Sequence, residues 1–200
     1  MINMRSARVD EVILAFLQAE IDSPTMRGSI VTAGLAHIRA DRGQLVDRAD
    51  LSNPQQNYVR QWLLGYARGY GLNQYLFTSF PSDTAWRLFT VIPPELESFK
   101  YANDQGWTEP SGPTRLVAAG VKNVEQIQAG EKVENVAGIA TRLRGGDRFP
   151  PLIAVQCAGA ADVVLMEGHT RATAYVLTGL PDVIEVFIGT SERMWDWVFI

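Results

Sequence analysis

The stretch Val163 to Gly179, VVLMEGHTRATAYVLTG, constrains the chain more than any other. Four apolar residues run up to Glu167, a turn falls at Gly168–His169, and a helical pattern follows with Arg171 in its first turn. So short and so apolar a run suits an interior strand with both faces covered. After the turn, Ala172, Tyr175 and Val176 share one helical face, and Gly179 supplies a stop. The start of a helix presents free backbone N–H groups that attract anions, and a glycine there lets a ligand approach the main chain. Arg171 adds a forked cationic donor suited to phosphate or carboxylate. Glu167 is placed to hold a metal ion or accept a proton. The plain alternative is a tight turn whose glycine is purely conformational and whose arginine is solvated.

Composition narrows the classes of partner. The hydrophobic share of 46% and charged share of 20% are ordinary for a globular domain, and 200 residues can bury a substantial core. The net charge of -4 argues against a surface devoted to nucleic acid. The opening MINMRSARVDEV lacks a secretory apolar core, and no run reaches membrane-spanning length, so a cytoplasmic protein without a membrane span is expected. A single cysteine, Cys157, excludes an internal disulfide and a multi-cysteine zinc site; within an apolar strand it reads as an inert core thiol. With His37 and His169 as the two histidines, a histidine-rich metal centre is excluded as well.

Along the chain, periodicity predicts a helix over Val9–Ile21 and another over Ala33–Ala40, where His37 and Asp41 would pair if the helix runs that far. Asn53-Pro54 opens a third helix, running through Tyr70 and ended by Gly71, with Tyr58, Trp62, Tyr66 and Tyr70 read as part of its core stripe. A strand follows at Trp86–Val91, then a short helix around Glu95–Tyr101. The turn-rich segment Asn103 to Thr114 sets the division between a mainly helical part, 1–110, and a second part, 111–200, which can pack as one unit. Ser111 to Arg115 opens another helix, and Asn123 caps a short one carrying Val124 and Ile127. A longer helix holds Val133, Val136, Ile139, Ala140 and Leu143, and Gly145-Gly146 closes it. Strands at Leu152–Cys157 and Val183–Ile188 flank the central unit. The aromatic end, Trp195, Trp197 and Phe199, is expected to pack on the core or in a dimer contact. The fold class expected is α+β, a helical front joined to a small mixed sheet.

The order of FPPLIAV, VVLMEGHTRATA, a helix and VIEVFIG resembles the ParB/sulfiredoxin-like superfamily across about the last two fifths of the chain. ParB partition proteins carry a Gly-x-x-Arg turn that binds nucleotide phosphates, sulfiredoxins a Gly-Cys-His-Arg version that binds ATP, and free serine kinases an Asp-Gly-His-x-Arg turn. The matching residues are Glu167, Gly168, His169, Thr170 and Arg171. His169 stands at the sulfiredoxin cysteine, so thiol-based repair is not expected, and Thr170 replaces a basic residue of the ParB turn. No helix-turn-helix follows within the sequence, so centromere binding is not expected.

Size and layout also resemble the plasmid fertility-inhibition group of oncogenic suppression activity proteins. That resemblance implies ATPase and DNase activity, partners among DNA and conjugative secretion-system proteins, and inhibition of conjugative transfer. On the enzyme reading, Gly168, His169, Thr170 and Arg171 hold ATP or another nucleotide, and Glu167 holds Mg²⁺ or a water. Glu167, His169 and Arg171 are then the catalytic group of a phosphoryl-bond hydrolase. Glu131 and Glu134 are candidates for a second carboxylate. On the alternative reading the same pocket senses a nucleotide without turnover, or the helical front binds another protein.

Overall fold

The computed structural model describes residues 1–21, 23, 26–124 and 131–200. The fold is α+β, built on one five-stranded mixed sheet. Its strands are β1 (Ile2–Ala7), β2 (Ala85–Val91), β3 (Leu152–Cys157), β4 (Val164–Glu167) and β5 (Ile184–Ser191), arranged in the order β1-β2-β5-β3-β4. The pairs are antiparallel except β3 with β5, which run parallel with Leu152 opposite Val186. Strands from both sides of residue 110 therefore share one hydrogen-bonded sheet.

Alternation along the strands feeds two separate cores, one on each face. Ile153, Val155 and Cys157 of β3, with Val164 and Met166 of β4, face helices α1 (Val9–Ile21), α2 (Met26–His37) and α3 (Pro54–Arg68). Leu152 and Ala154, with Leu165, Val186 and Ile188, face the opposite way. They are covered by α5 (Gln105–Ser111), α6 (Val117–Lys122), α7 (Glu131–Arg144) and α8 (His169–Thr178), while a single turn, α4 (Pro93–Leu96), adds Leu96 to that layer. Cys157 is buried, and desolvation pushes its thiol up, as an inert core position requires.

Local chemistry sets the helix ends. Glu11, in the first turn of α1, reaches back to the Arg8 N–H at 2.8 Å. The Asn53 side chain accepts from Gln56 N–H at 3.1 Å with Pro54 in the first helical position, and α3 stops at Gly69, which has φ +82°, two residues before the expected Gly71. α8 begins at Gly168 (φ +95°) and ends at Gly179 (φ +69°), both left-handed.

Several expectations are revised. β4 lies at the sheet's edge, not inside it; helices cover both its faces, and its outer side is closed by Lys100, whose N–H bonds Val163 O and whose O accepts from Leu165 N–H, each at 2.8 Å. α2 ends at His37, so a helical pair with Asp41 does not form; Asp41 Oδ1 takes the Gln44 N–H instead. The helix expected around Glu95–Tyr101 is reduced to Pro93–Leu96. The turn-rich segment contains α5, capped by Asp104 through the Gly106 N–H, and the helix expected at Ser111 is a 3-10 turn before α6. Of the expected aromatic stripe, Tyr70 packs on the core against Phe77, whereas Tyr58 is 64% exposed, Trp62 37% and Tyr66 50%. In the terminal segment Trp197 is buried, its indole N–H bonding Leu76 O at 2.7 Å, while Trp195 faces solvent. The short helix expected to carry Ile127 falls outside the described residues.

Candidate functional site

The turn forms as its sequence predicts: β4 ends at Glu167, Gly168 takes a left-handed conformation, and α8 starts at His169. That N-terminus has no side-chain cap. Gly168, at the cap position, has no side-chain oxygen of the kind that usually satisfies first-turn donors. His169 and Thr170 are half-buried; Gly168 is buried.

The chain's own atoms make the close approach at Gly168. A β-carbon there would lie 2.4 Å from Leu152 Cδ2 and 3.0 Å from Arg171 Nη2. Arg171 is 6% exposed, so it is not the solvated first-turn arginine of the plain alternative. Its Nη1 donates to the carbonyls of Pro150 and Pro151, which brings the FPP entry to β3 under the turn. Its Nη2 faces Glu167 Oε1 at 3.7 Å and has no acceptor in hydrogen-bonding geometry. Burial raises the Tyr175 hydroxyl pKa, and the Arg171 charge and its hydrogen-bonding contact with that hydroxyl oppose the rise.

Glu167 has a second cation. Arg68, at the end of α3, places Nη2 3.5 Å from Glu167 Oε2 and Nε 3.1 Å from Glu20 Oε1 on α1. The result is a buried chain of alternating charge, Glu20–Arg68–Glu167–Arg171, running from the helical front to the head of α8. Each Glu167 oxygen thus faces a guanidinium. A divalent cation at those oxygens would meet two fixed positive charges, so the residues do not fit a metal at Glu167. Among the described residues, no group of three or more His, Cys, Asp or Glu gathers in a metal-binding arrangement. The side chains of Glu131 and Glu134 lie outside what is described.

His169 is held from the other side. Its Nε2 accepts the Ala102 N–H at 3.2 Å, which requires that nitrogen to be unprotonated and leaves Nδ1 as the donor in the neutral ring. The imidazole stacks on Trp107 (5.3 Å, 20°) and, more distantly, on Tyr101 (5.9 Å, 20°). Tyr101 is fully buried, bonds Thr173 Oγ1 at 2.7 Å, and has its pKa raised by desolvation. Thr173 in turn donates to His169 O at 2.8 Å. Thr170 borders the same turn.

Sequence reasoning placed the five turn residues and missed Arg68, Glu20, Ala102 and Trp107. All four reach the turn from distant segments. Chemically, the corner offers a helix N-terminus without a side-chain cap and one buried guanidinium nitrogen with spare donor capacity. That set fits an anion, and the phosphate of a nucleotide is compatible with it. A comparison with known protein families, with curated proteins and with solved structures finds no match. No helix among the described residues is long and apolar enough to cross a membrane.

Proposed function

We propose that the chain binds a nucleotide through its phosphates at the Gly168 corner and acts as a sensor without turnover. One observation carries this reading: Arg171 Nη2 is buried beside Gly168, at the head of a helix with no side-chain cap, and has no hydrogen-bond acceptor. A buried donor left unsatisfied is unfavourable by about 1–3 kcal/mol, and a phosphate oxygen would recover that. Backbone amides and the helix dipole favour the same charge. The hydrolase alternative is weaker because Glu167, its candidate base and metal ligand, is already shared by two arginines. Mg²⁺ enters on this reading only as the nucleotide's own counter-ion.

The test adds ATP and Mg²⁺ to the full chain while melting temperature and phosphate release are followed. The parent melts higher with ATP, Arg171→Ala gains nothing, Arg171→Lys gains less than the parent, and no phosphate appears. An unshifted parent, or an equal shift in Arg171→Ala, overturns the proposal. Phosphate release that Glu167→Ala abolishes would reinstate the hydrolase reading.

A further inference from the structure

A concave site lies in the helical front, away from the Gly168 corner. It is a groove of about 500 Å³ between the end of α2, the π-helical turn Gly43–Asp47 and the first half of α3. That volume falls within the range of small-molecule sites. Ile38, Leu45 and Val59 provide its apolar lining, and Tyr58 and Trp62 its aromatic side.

Trp62 is already part of a parallel aromatic column. Tyr66 stacks with it at 5.5 Å and 8°, and His37 at 6.3 Å and 12°. Gly34 on α2 makes room for these side chains, since a β-carbon there would stand 3.1 Å from Leu63 Cδ2 and 3.2 Å from Tyr66 Cδ1. An indole held in this way, with Tyr58 64% exposed beside it, gives the groove an aromatic side that loses little side-chain freedom on binding.

The groove's polar edge is fixed from beneath by a buried arginine. Arg60 is 1% exposed; it donates to Leu45 O at 3.2 Å and Asp50 O at 3.0 Å, tying down the segment that forms one wall. It also donates to Gln56 Oε1 at 3.5 Å. That contact turns the Gln56 carbonyl inward and leaves its amide nitrogen as a donor for the groove, which Gln56 lines. Asp41, on the same rim, uses Oδ1 for Gln44 N–H and offers its other oxygen as an acceptor.

From this combination we infer that the groove binds a planar heteroaromatic ring with both donor and acceptor on its edge, the chemistry of a nucleobase in a small molecule. Charge selects the small molecule over a nucleic-acid strand. Asp41 stands on the rim and offsets Arg39, the one cation that lines the groove, and Arg42 beside it is tied to Asp47 at 3.1 Å, so a single arginine and not a basic track accompanies the aromatic surface. The inference does not rest on phosphate binding at Gly168.

The test uses the full chain and nucleosides, which carry no phosphate, with proton NMR of the base. Saturable shifts of base protons are expected, since a base packed against Tyr58 and Trp62 sits in their ring currents. Tripolyphosphate, a probe for the Gly168 corner, should not compete. Trp62→Ala should weaken binding by roughly tenfold or more, Trp62→Phe by less, and Gln56→Leu should weaken it with Trp62 intact. Circular dichroism of each variant checks that the fold is kept. No shift at millimolar nucleoside overturns the inference, as does a shift that survives in Trp62→Ala. Binding confined to oligonucleotides, or to an aromatic peptide, overturns it too.

Discussion

Arg68 Nη2 lies 3.5 Å from Glu167 Oε2, joining the last turn of α3 to the last residue of β4 across ninety-nine positions of sequence. Both groups are largely buried, and Arg68 also faces Glu20 at 3.1 Å. Removing one member of a buried pair leaves an uncompensated charge, which is far more damaging than never having had the pair. Arg68→Ala should therefore destabilise the fold by roughly 3–5 kcal/mol, read by urea unfolding, because it removes the buried cation that Glu20 and Glu167 share. Adding Glu20→Gln to Arg68→Ala should recover part of that loss. A loss below about 1 kcal/mol for Arg68→Ala would mean the network is solvated in solution.

Gly168 and Gly179 both adopt left-handed backbone at the two ends of α8, yet they differ in surroundings. A methyl group on Gly168 meets Leu152 Cδ2 at 2.4 Å, whereas nothing lies within 4 Å of the corresponding point on Gly179. Gly179→Ala should lose only the conformational term, about 1–2 kcal/mol. Gly168→Ala should lose that and an overpacking penalty of about 1–3 kcal/mol besides. Thermal unfolding of the two variants side by side measures the difference. Equal losses would mean that Leu152 moves aside freely.

Acid should loosen the junction of β1 and α1 first. Arg5 grips Glu11 with both terminal nitrogens, at 2.6 and 3.0 Å, and this contact holds the Glu11 carboxyl below its ordinary value. A depressed folded-state pKa adds stability that is present above the unfolded value, near 4.5, and is lost as pH falls through the folded one. The pair is partly exposed, so its worth is at most about 1 kcal/mol. Glu11→Gln should lower stability at pH 7 by that order and flatten the fall in stability below pH 4.5, measured by urea titrations across pH. An unchanged acid slope would dissociate Glu11 from the transition.

Where order along the chain decides structure, the residues announced it. α1 follows its apolar period from Val9 to Ile21, and the strand–turn–helix at Glu167 to Arg171 follows from an apolar run, a glycine and a new period. What could not be read was set by distant partners. β1 lacks an inward apolar face, its residues being almost all exposed, and exists because β2 offers it a backbone edge. α5 was hidden by Gly106, Pro110 and Gly112, although Asp104 was a legible cap. A four-residue aromatic spacing suits a buried stripe and an exposed one equally; only the packing of α2 against α3 decides that Tyr58, Trp62 and Tyr66 lie outward. Likewise, the motif located the candidate site but not its state of charge. Arg68 and the Pro150 and Pro151 carbonyls are what keep Glu167 neutralised and Arg171 buried.

The His169 ring depends on a packing contact two layers below it. Gly120 on α6 lies against Tyr101, and a β-carbon there would stand 2.6 Å from Cε2 and 2.8 Å from the hydroxyl. Tyr101 cannot swing away, because it stacks on Trp107 at 4.8 Å and bonds Thr173. Gly120→Ala should therefore destabilise the fold by about 1–3 kcal/mol and displace the ring on which His169 leans. Tyr101→Phe alone should lose only about 1 kcal/mol, since Thr173 keeps its own bond to His169 O. Combined with Gly120→Ala, the phenylalanine removes the hydroxyl clash but keeps the one at Cε2. The double variant should thus be more stable than the sum of the single losses predicts. Urea unfolding gives the three energies, and the NMR signals of His169 should move in Gly120→Ala. Strict additivity, with His169 signals unmoved, would show that the contact is absorbed by α6 instead.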